Sequence, residues 1–491
     1  MENILHGFSL LLTFEKLTML VVGTVAGYLI GAMPGLTATI GVALLIPFTF
    51  GMDTVSAVVL LIALFNASFF GGGITAILIN APGQPAAAVT ALDGYPLARQ
   101  GKARKALGMT IWASGIGMIA SYIMLITFAI PLAMFALRFG PPEYFCLAIM
   151  GLSVVAGLSM DNLNKGFMMA AAGLFLTTIG MDPIAGRFRY VVNFHMLDGV
   201  PFVPAMIGLF AVAEMFHLIA YDSKHKPIEK ILGEGLTLQE ITKNTKTIIK
   251  STLIGFFVGI LPAAGPNIAS WIAYNEAKRS SSNSENFGKG ELEGIAAGES
   301  ANNAACGGSL VTTLVLGIPG SSTAAVLIGA LMLHGVNAGP LLFARNPEIP
   351  YSIFATSMIS APLMILIGLS CAKLFAMVTL VPKSVLVALV LATCTMGSYT
   401  LTGTMYGVWI AYAFGLVGYI FKLLDFPPAP MVLALVLGRM AEMNFRHTML
   451  MSGGSLSIFF TRPLSIIIII LTAIMFAAPL LQKRAASRTS K

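Results

Sequence analysis

Charge is what this 491-residue sequence has least of: Asp, Glu, Lys and Arg make up 10% of it, against about 25% in soluble globular chains. So few charges cannot coat a water-facing surface of this size, which excludes a soluble globular protein. Cysteine is also scarce. The four thiols, Cys146, Cys306, Cys371 and Cys394, are scattered through apolar stretches. They show neither metal-ligand spacing nor a disulfide framework and read as small packing residues. The six histidines have no ligand spacing either. No Walker A loop is present, so this chain is not expected to hydrolyse ATP. His-Glu-x-x-His and Gly-x-Ser-x-Gly are missing too, and no enzymatic activity is expected. No basic stretch precedes the first apolar run, which follows Glu15 and Lys16, so the first helix is expected to stay in the mature protein. The net charge of +8 does not imply nucleic acid, because the cations sit in short loops between apolar segments.

What fills the space is apolar. Hydrophobic residues are 57% of the chain and the mean hydropathy is +0.86. Runs such as 106–137 and 465–481 reach the roughly 17–25 residues over which a helix crosses a bilayer core. Gly (50) and Pro (25) are abundant, as membrane helices tolerate. The expected fold is an all-α polytopic membrane protein with roughly 10–12 transmembrane helices plus re-entrant or broken ones.

Loop cations orient the chain. Arg99, Lys102, Arg104 and Lys105 form one cluster; Lys224, Lys226, Lys230, Lys243, Lys246 and Lys250 form a second; Lys483, Arg484, Arg488 and Lys491 form the tail. All three are expected in the cytoplasm. Four helical segments between the first two clusters (106–137, 144–160, 167–181 and 200–220) return the chain to the same side. The polar stretch 221–250 reads as a cytoplasmic linker with an amphipathic helix. It divides a first transmembrane repeat, 1–220, from a second, 251–491.

The two halves match internally. Gly27, Gly31 and Pro34 recur as Gly255, Gly259 and Pro262, an offset of 228 residues. Asn66, Gly71, Thr75, Pro82 and Gly83 recur as Asn303, Gly308, Thr312, Pro319 and Gly320, an offset of 237. The difference is accounted for by an insertion in the polar loop 279–290. Loop charges place the first unit outside-to-inside and the second inside-to-outside, the inverted-topology repeat common among secondary transporters.

These motifs fall where apolar segments are interrupted. Pro and Gly end helices and free backbone polar groups, which in a bilayer must be buried in protein or line a wet cavity. Half-helix N-termini suit a carboxylate. The substrate-binding candidates are therefore Gly72, Gly73, Thr75, Asn80, Pro82 and Gly83 in the first half. In the second they are Gly265, Pro266, Asn267, Gly308, Ser309, Thr312, Pro319, Gly320, Ser321 and Ser322. Ser321, Ser322 and Thr323 can cap a helix while donating to an anion. For a coupling ion, sodium or a proton, the candidates are Asn66, Glu299, Ser300, Asn302 and Asn303. Glu299 can ligate a cation, carry a proton, hold a hairpin, or cap a helix just outside the membrane; it matches Ile62 in the first unit. Asp53, Asp93, Asp161, Lys165, Asp182, Arg187, Arg189, Lys422 and Arg439 read as interface or turn residues at segment ends. Glu214 lies deeper, and its role stays open.

With these residues in view, the chain resembles the large membrane subunit of the tripartite tricarboxylate transporters. The resemblance rests on Gly31–Leu36, Gly71–Leu78, Asn80–Gly83, Asp93–Gly101, Phe287–Gly290, Glu299–Ala304 and Leu316–Ser321, and spans nearly the whole chain. It implies a permease that works with a small membrane subunit and a soluble periplasmic solute-binding protein. It also implies ion-gradient-driven import of carboxylates across the bacterial inner membrane, with no bound cofactor. The competing readings are a self-sufficient secondary carrier or ion antiporter, and a non-transport membrane scaffold or intramembrane enzyme, which the missing catalytic motifs and paired broken helices disfavour.

Overall fold

In the computed structural model, residues 2–474 and 476 are described, apart from 34, 154–162, 183, 221–233, 263 and 379–381. Pro34, Asp161, Lys224, Lys226, Lys230 and the basic tail from Lys483 lie outside the described residues. The fold is all-α. Its helices are α1 (Glu2–Leu11), α2 (Phe14–Gly31), α3 (Ala38–Thr49), α4 (Thr54–Ile79), α5 (Ala88–Leu97), α6 (Ala103–Ala136) and α7 (Pro141–Ser153). After these come α8 (Leu163–Thr177), α9 (Phe202–Ala220), α10 (Leu238–Ile260), α11 (Gly265–Ser280), α12 (Leu292–Leu316) and α13 (Ser322–Leu333). The last five are α14 (Glu348–Val378), α15 (Lys383–Thr402), α16 (Met405–Leu423), α17 (Ala429–Met451) and α18 (Pro463–Ile474). Among the described residues, α2, α4, the continuous α5–α6 run, α9, α14, α15 and α16 are long and apolar enough to cross a membrane. One two-residue pairing, Gly180–Met181 with Phe188–Arg189, closes the loop between α8 and α9.

Two helices form the centre. Helix α4 is apolar on all sides and buried throughout its most apolar window, as a helix with no polar stripe must be. Helix α12 is buried from Gly294 to Val315 although it carries Glu, Asn, Ser and Thr. Each is crossed by a glycine-bearing helix, α2 on α4 and α10 on α12. A Cβ added at Gly31 would lie 2.3 Å from the Ser68 carbonyl oxygen, and one at Gly259 would lie 2.4 Å from that of Ala305. At Gly27 and Gly255 the corresponding oxygens are those of Leu64, at 2.6 Å, and Ala301, at 2.4 Å. The offsets of 228 and 237 seen in the sequence thus recur in which backbones touch. The third helix of each group crosses over. Helix α6 lies on α12, where Gly117 meets Ser300 and Gly307 meets Ser121. Helix α14 lies on α4, where Asn66 Nδ2 donates to Ser360 Oγ at 2.8 Å.

The ends of α4 and α12 also match. Asn80 and Gly317 both take the left-handed conformation, with φ of 52° and 68°. In each case the next two backbone N–H groups return to one threonine carbonyl. Asn80 and Ala81 donate to Thr75 O, and Gly317 and Ile318 donate to Thr312 O. This closes the helix end and satisfies its orphan carbonyl. Side chains then tie down the turn beyond: Gly83 N–H donates to Thr75 Oγ1 at 3.1 Å, and Gly320 N–H to Thr313 Oγ1 at 3.4 Å.

The polar segment before α10 differs from expectation. Its described part is not a separate surface helix: α10 starts at Leu238, capped by a Thr237–Glu240 capping box, and continues unbroken to Ile260. The expected boundary at 250 falls inside it. Lys105 Nζ meets Glu240 at 2.7 Å and Lys250 Nζ meets Glu276 at 2.5 Å, so the polar half is held by α6 and α11. Hydrogen bonds from Arg279 and Lys250 hold the Glu276 carboxyl down to about 2.

The glycine crossings carry a direct consequence. Gly31→Val and Gly259→Val should each cost ~1–3 kcal/mol through overpacking against a backbone that cannot move aside. Thermal unfolding of the purified protein in detergent should shift down by a few degrees for both variants. An unchanged midpoint would mean the crossings are looser than described.

Candidate functional site

The helix breaks of both halves meet at one cavity of about 840 Å³, within the usual range of small-molecule sites. Thr37 and Thr39 line it from the start of α3, Gln84 and Pro85 from the turn after α4, Gly265 to Asn267 from the start of α11, and Ser321 to Thr323 from the start of α13. Three of these are N-termini of helices of 12 residues or more. Their free N–H groups and positive dipole ends favour an anion. Thr37 Oγ1 accepts from Ile40 N–H, and Ser321 Oγ accepts from Ala324 N–H at 3.1 Å, the arrangement of an N-cap. Thr39 and Thr323 hydroxyls meet at 2.9 Å, joining the two halves at the cavity wall. The rest of the lining comes from α8, α9, α16 and residues 425–429. It carries Lys165, Glu214, Lys422 and Asp425.

Behind the cavity sits a fully buried acid. Glu299 lies eight residues into α12 and is 0% exposed, so it is not a helix cap; that position is held by Glu291. Its Oε1 accepts from the Thr90 hydroxyl and its Oε2 from Ser114 Oγ at 2.9 Å. Asn303 Nδ2 donates to the Glu299 carbonyl at 3.0 Å and to Oε2 at 3.4 Å. A Cβ at Gly73 would lie 2.7 Å from Oε1, so that glycine makes room for the carboxylate. No cationic side chain among the described residues bonds it. The amide oxygens of Asn302 and Asn303 are buried with no hydrogen-bond partner among the described residues. A carboxylate beside two unsatisfied carbonyl-type oxygens is a donor set for a hard cation.

A second buried acid does different work. Asp93 Oδ1 accepts from the backbone N–H groups of Gly288, Gly290 and Glu291 at 2.8, 2.9 and 2.8 Å, and Oδ2 accepts from Tyr274 Oη at 2.9 Å. Gly288 and Gly290 have φ of 85° and 110°, which turns their N–H groups inward to form an anion-holding nest. Gln100 Nε2 adds a bond to Lys289 O at 2.8 Å. The Asp93–Gly101 and Phe287–Gly290 stretches therefore grip one another across the two halves.

Of the substrate-binding candidates, Gly265, Pro266, Asn267, Ser321 and Ser322 line the cavity. The rest do not. Thr75, Asn80, Pro82, Gly83, Thr312, Pro319 and Gly320 build the turns behind it, Gly72 packs on Gln84, and Gly308 packs on α10. Ser309 Oγ donates to Ser321 Oγ at 3.3 Å. Glu299, Asn302 and Asn303 come together as a group. Ser300 Oγ is spent on Ala296 O at 2.7 Å. Asn66 is bonded at both amide atoms: its Oδ1 accepts from the Tyr122 hydroxyl and its Nδ2 donates to Ser360. Sequence reasoning missed Thr39 and Gln84 at the cavity and Thr90 and Ser114 at the acid. It also placed Asp93, Lys165 and Lys422 in turn or interface roles. The only local signal for Lys422 and Glu214 was a charge close to a long apolar run.

Residues 17–433 match the model of the tripartite tricarboxylate transporter TctA family. A 52.8 kDa uncharacterized protein from the TAR-I ttuC' 3' region of Agrobacterium vitis is 33% identical over 466 residues, covering 94% of this chain and 93% of that one. An uncharacterized protein from the TAR-II ttuC' 3' region of the same organism is 32% identical over 211 residues, 43% of this chain and 87% of its own length. No solved structure matches.

The Asp93 nest is testable without a ligand. Hydrogen bonds to a charged acceptor contribute about 1.5–3 kcal/mol each, so Asp93→Asn should loosen the 286–291 turn. Hydrogen–deuterium exchange there should speed up at least about tenfold. Unchanged exchange in the variant would show that the turn holds itself.

Proposed function

The chain belongs to the tripartite tricarboxylate transporter TctA family, and on that premise we propose that it is the large permease subunit that imports a di- or tricarboxylate across the bacterial inner membrane. A small membrane subunit and a soluble periplasmic solute-binding protein complete the system. The C-terminus lies in the cytoplasm, and the halves 1–220 and 251–491 are inverted repeats around the cavity.

The observation that supports this reading best is the convergence of both halves' helix breaks on one cavity. A carboxylate there meets N–H groups at the starts of α3, α11 and α13 without any need for a buried arginine. Energy comes from a cation gradient, with sodium as the leading ion. The cation sits at Glu299, Asn302 and Asn303, where one carboxylate and two free amide oxygens supply hard ligands. Thr90 and Ser114 orient the carboxylate. Because Gly73 of α4 abuts that carboxylate, cation occupancy bears on the first half's hairpin as well as the second's.

Uptake of radiolabelled citrate and succinate into proteoliposomes containing the full tripartite system tests this. Glu299→Gln and Asn303→Ala should reduce uptake to background while membrane levels stay normal. Replacing sodium by potassium should do the same to the wild type. Uptake that persists in potassium and follows a pH gradient would make the proton the coupling ion. Normal uptake by both variants would remove this acid from the coupling site.

A further inference from the structure

The walls of the cavity are chemically unequal. One is built from backbone N–H groups and hydroxyls at the starts of α3, α11 and α13. The rest of the lining carries side-chain charge: Lys165 on α8, Glu214 on α9, Lys422 on α16 and Asp425 beyond it. Lys422 is one residue from the C-terminal end of α16, and its Nζ meets Glu214 Oε2 of α9 at 2.5 Å. Its side chain is 40% exposed, that of Glu214 14%. An ammonium has three N–H donors, and among the described residues this one donates to Glu214. The other cation on this wall is committed differently: Lys165 Nζ donates to Leu424 O at 2.6 Å and lies 5.2 Å from the centre of the Phe426 ring. Two features fix the position of the Lys422–Glu214 pair. Gly415 and Gly418 let α16 close on Val212 and Ala213, and the π-helical stretch Ile207–Val212 resets the register of α9 just before Glu214.

From this geometry we infer that Lys422 is the specificity-determining residue for the number of carboxylates, binding the distal carboxylate of a substrate whose first carboxylate sits at the helix starts. Glu214 acts as a positioning residue that holds the ammonium on the wall. A monocarboxylate reaches only the first wall. A di- or tricarboxylate spans the cavity and gains a charge-assisted hydrogen bond at the second. The inference rests on the carboxylate-carrier reading given above.

The test is binding to the full-length chain in lipid nanodiscs, measured by isothermal titration with a panel of C4–C6 di- and tricarboxylates, succinate and citrate among them, and with butyrate as the single-carboxylate probe. Lys422→Met should weaken the multivalent acids about ten- to hundredfold, the size of one lost charge-assisted bond, and leave butyrate within about twofold. Because Lys422→Met leaves Glu214 without its partner, the double variant Lys422→Met/Glu214→Gln, which removes both charges, is measured beside it. It should show the same selective loss. Lys422→Arg should restore much of the discrimination. Equal weakening of butyrate and the multivalent acids, or no weakening of either, overturns the assignment of Lys422. Failure of the wild type to bind any acid in the panel overturns the underlying reading instead, and the inference falls with it.

Discussion

Every break in a membrane helix exposes backbone groups that lipid cannot satisfy, and this constraint shapes the centre of the molecule. The chain breaks after α2, α4, α10 and α12. At α4 and α12 the freed groups are closed by the same device, a left-handed residue returning two N–H groups to a threonine carbonyl. The turns beyond are then held by threonine hydroxyls from the preceding helix. What is left over, the N–H groups at the starts of α3, α11 and α13, faces the cavity. These helix starts are the part of the broken ends that lines the cavity.

The buried carboxylates show how the same constraint separates structural from working residues. Glu143 is buried against Arg462 Nε at 2.6 Å, Ser465 and the Gly140 N–H. Asp93 has three backbone N–H groups and a tyrosine. Both charges are compensated by the fold itself, and removing either partner set would strand them. Glu299 is buried as deeply but is met only by two hydroxyls and amides. A buried carboxylate without a cationic partner is costly to hold charged. That difference in compensation, rather than depth alone, singles it out.

The breaks after α4 and α12 were legible because Asn, Pro and Gly mark them locally, and the cap at Ser321 because capping is a matter of three residues. The interruptions expected at 71–73 and 307–309, by contrast, fall inside unbroken α4 and α12. The sequence also made the glycine crossings visible, since a repeated Gly-x-x-x-Gly spacing registers in a self-comparison. The Asp93 nest was not visible. Its donors lie 195 to 198 residues away, and an aspartate at the end of an apolar segment has the local appearance of a turn residue. Lys422 and Glu214 were obscured for the same reason: their pairing across 208 residues depends on α16 docking against α9, which hydropathy does not encode. A helix was expected in the polar stretch, but its run past 250 to Ile260 was not legible, because polar and apolar halves look like separate segments where capping and ion pairs to α6 and α11 join them in one helix.

The two halves are alike in backbone and unlike in chemistry, and the difference is concentrated on one face. Asn66 and Asn303 occupy equivalent positions, each buried where a helix from the other half crosses. Asn66 is saturated by Tyr122 and Ser360, neutral partners that lock α4 to α6 and α14. Asn303 retains a free oxygen beside Glu299, and the residue equivalent to Glu299 in the first half is Ile62, which packs in the core. A duplicated scaffold needs its hairpin tips in register to enclose a substrate, but needs only one of its two equivalent polar positions to sense an ion. If both asparagines were unsaturated, two uncompensated sites would burden the core with separate desolvation costs. If both were locked, nothing in the centre would respond to a cation. The asymmetry between Asn66 and Asn303 leaves one half fastened at this position and the other with an amide oxygen to spare.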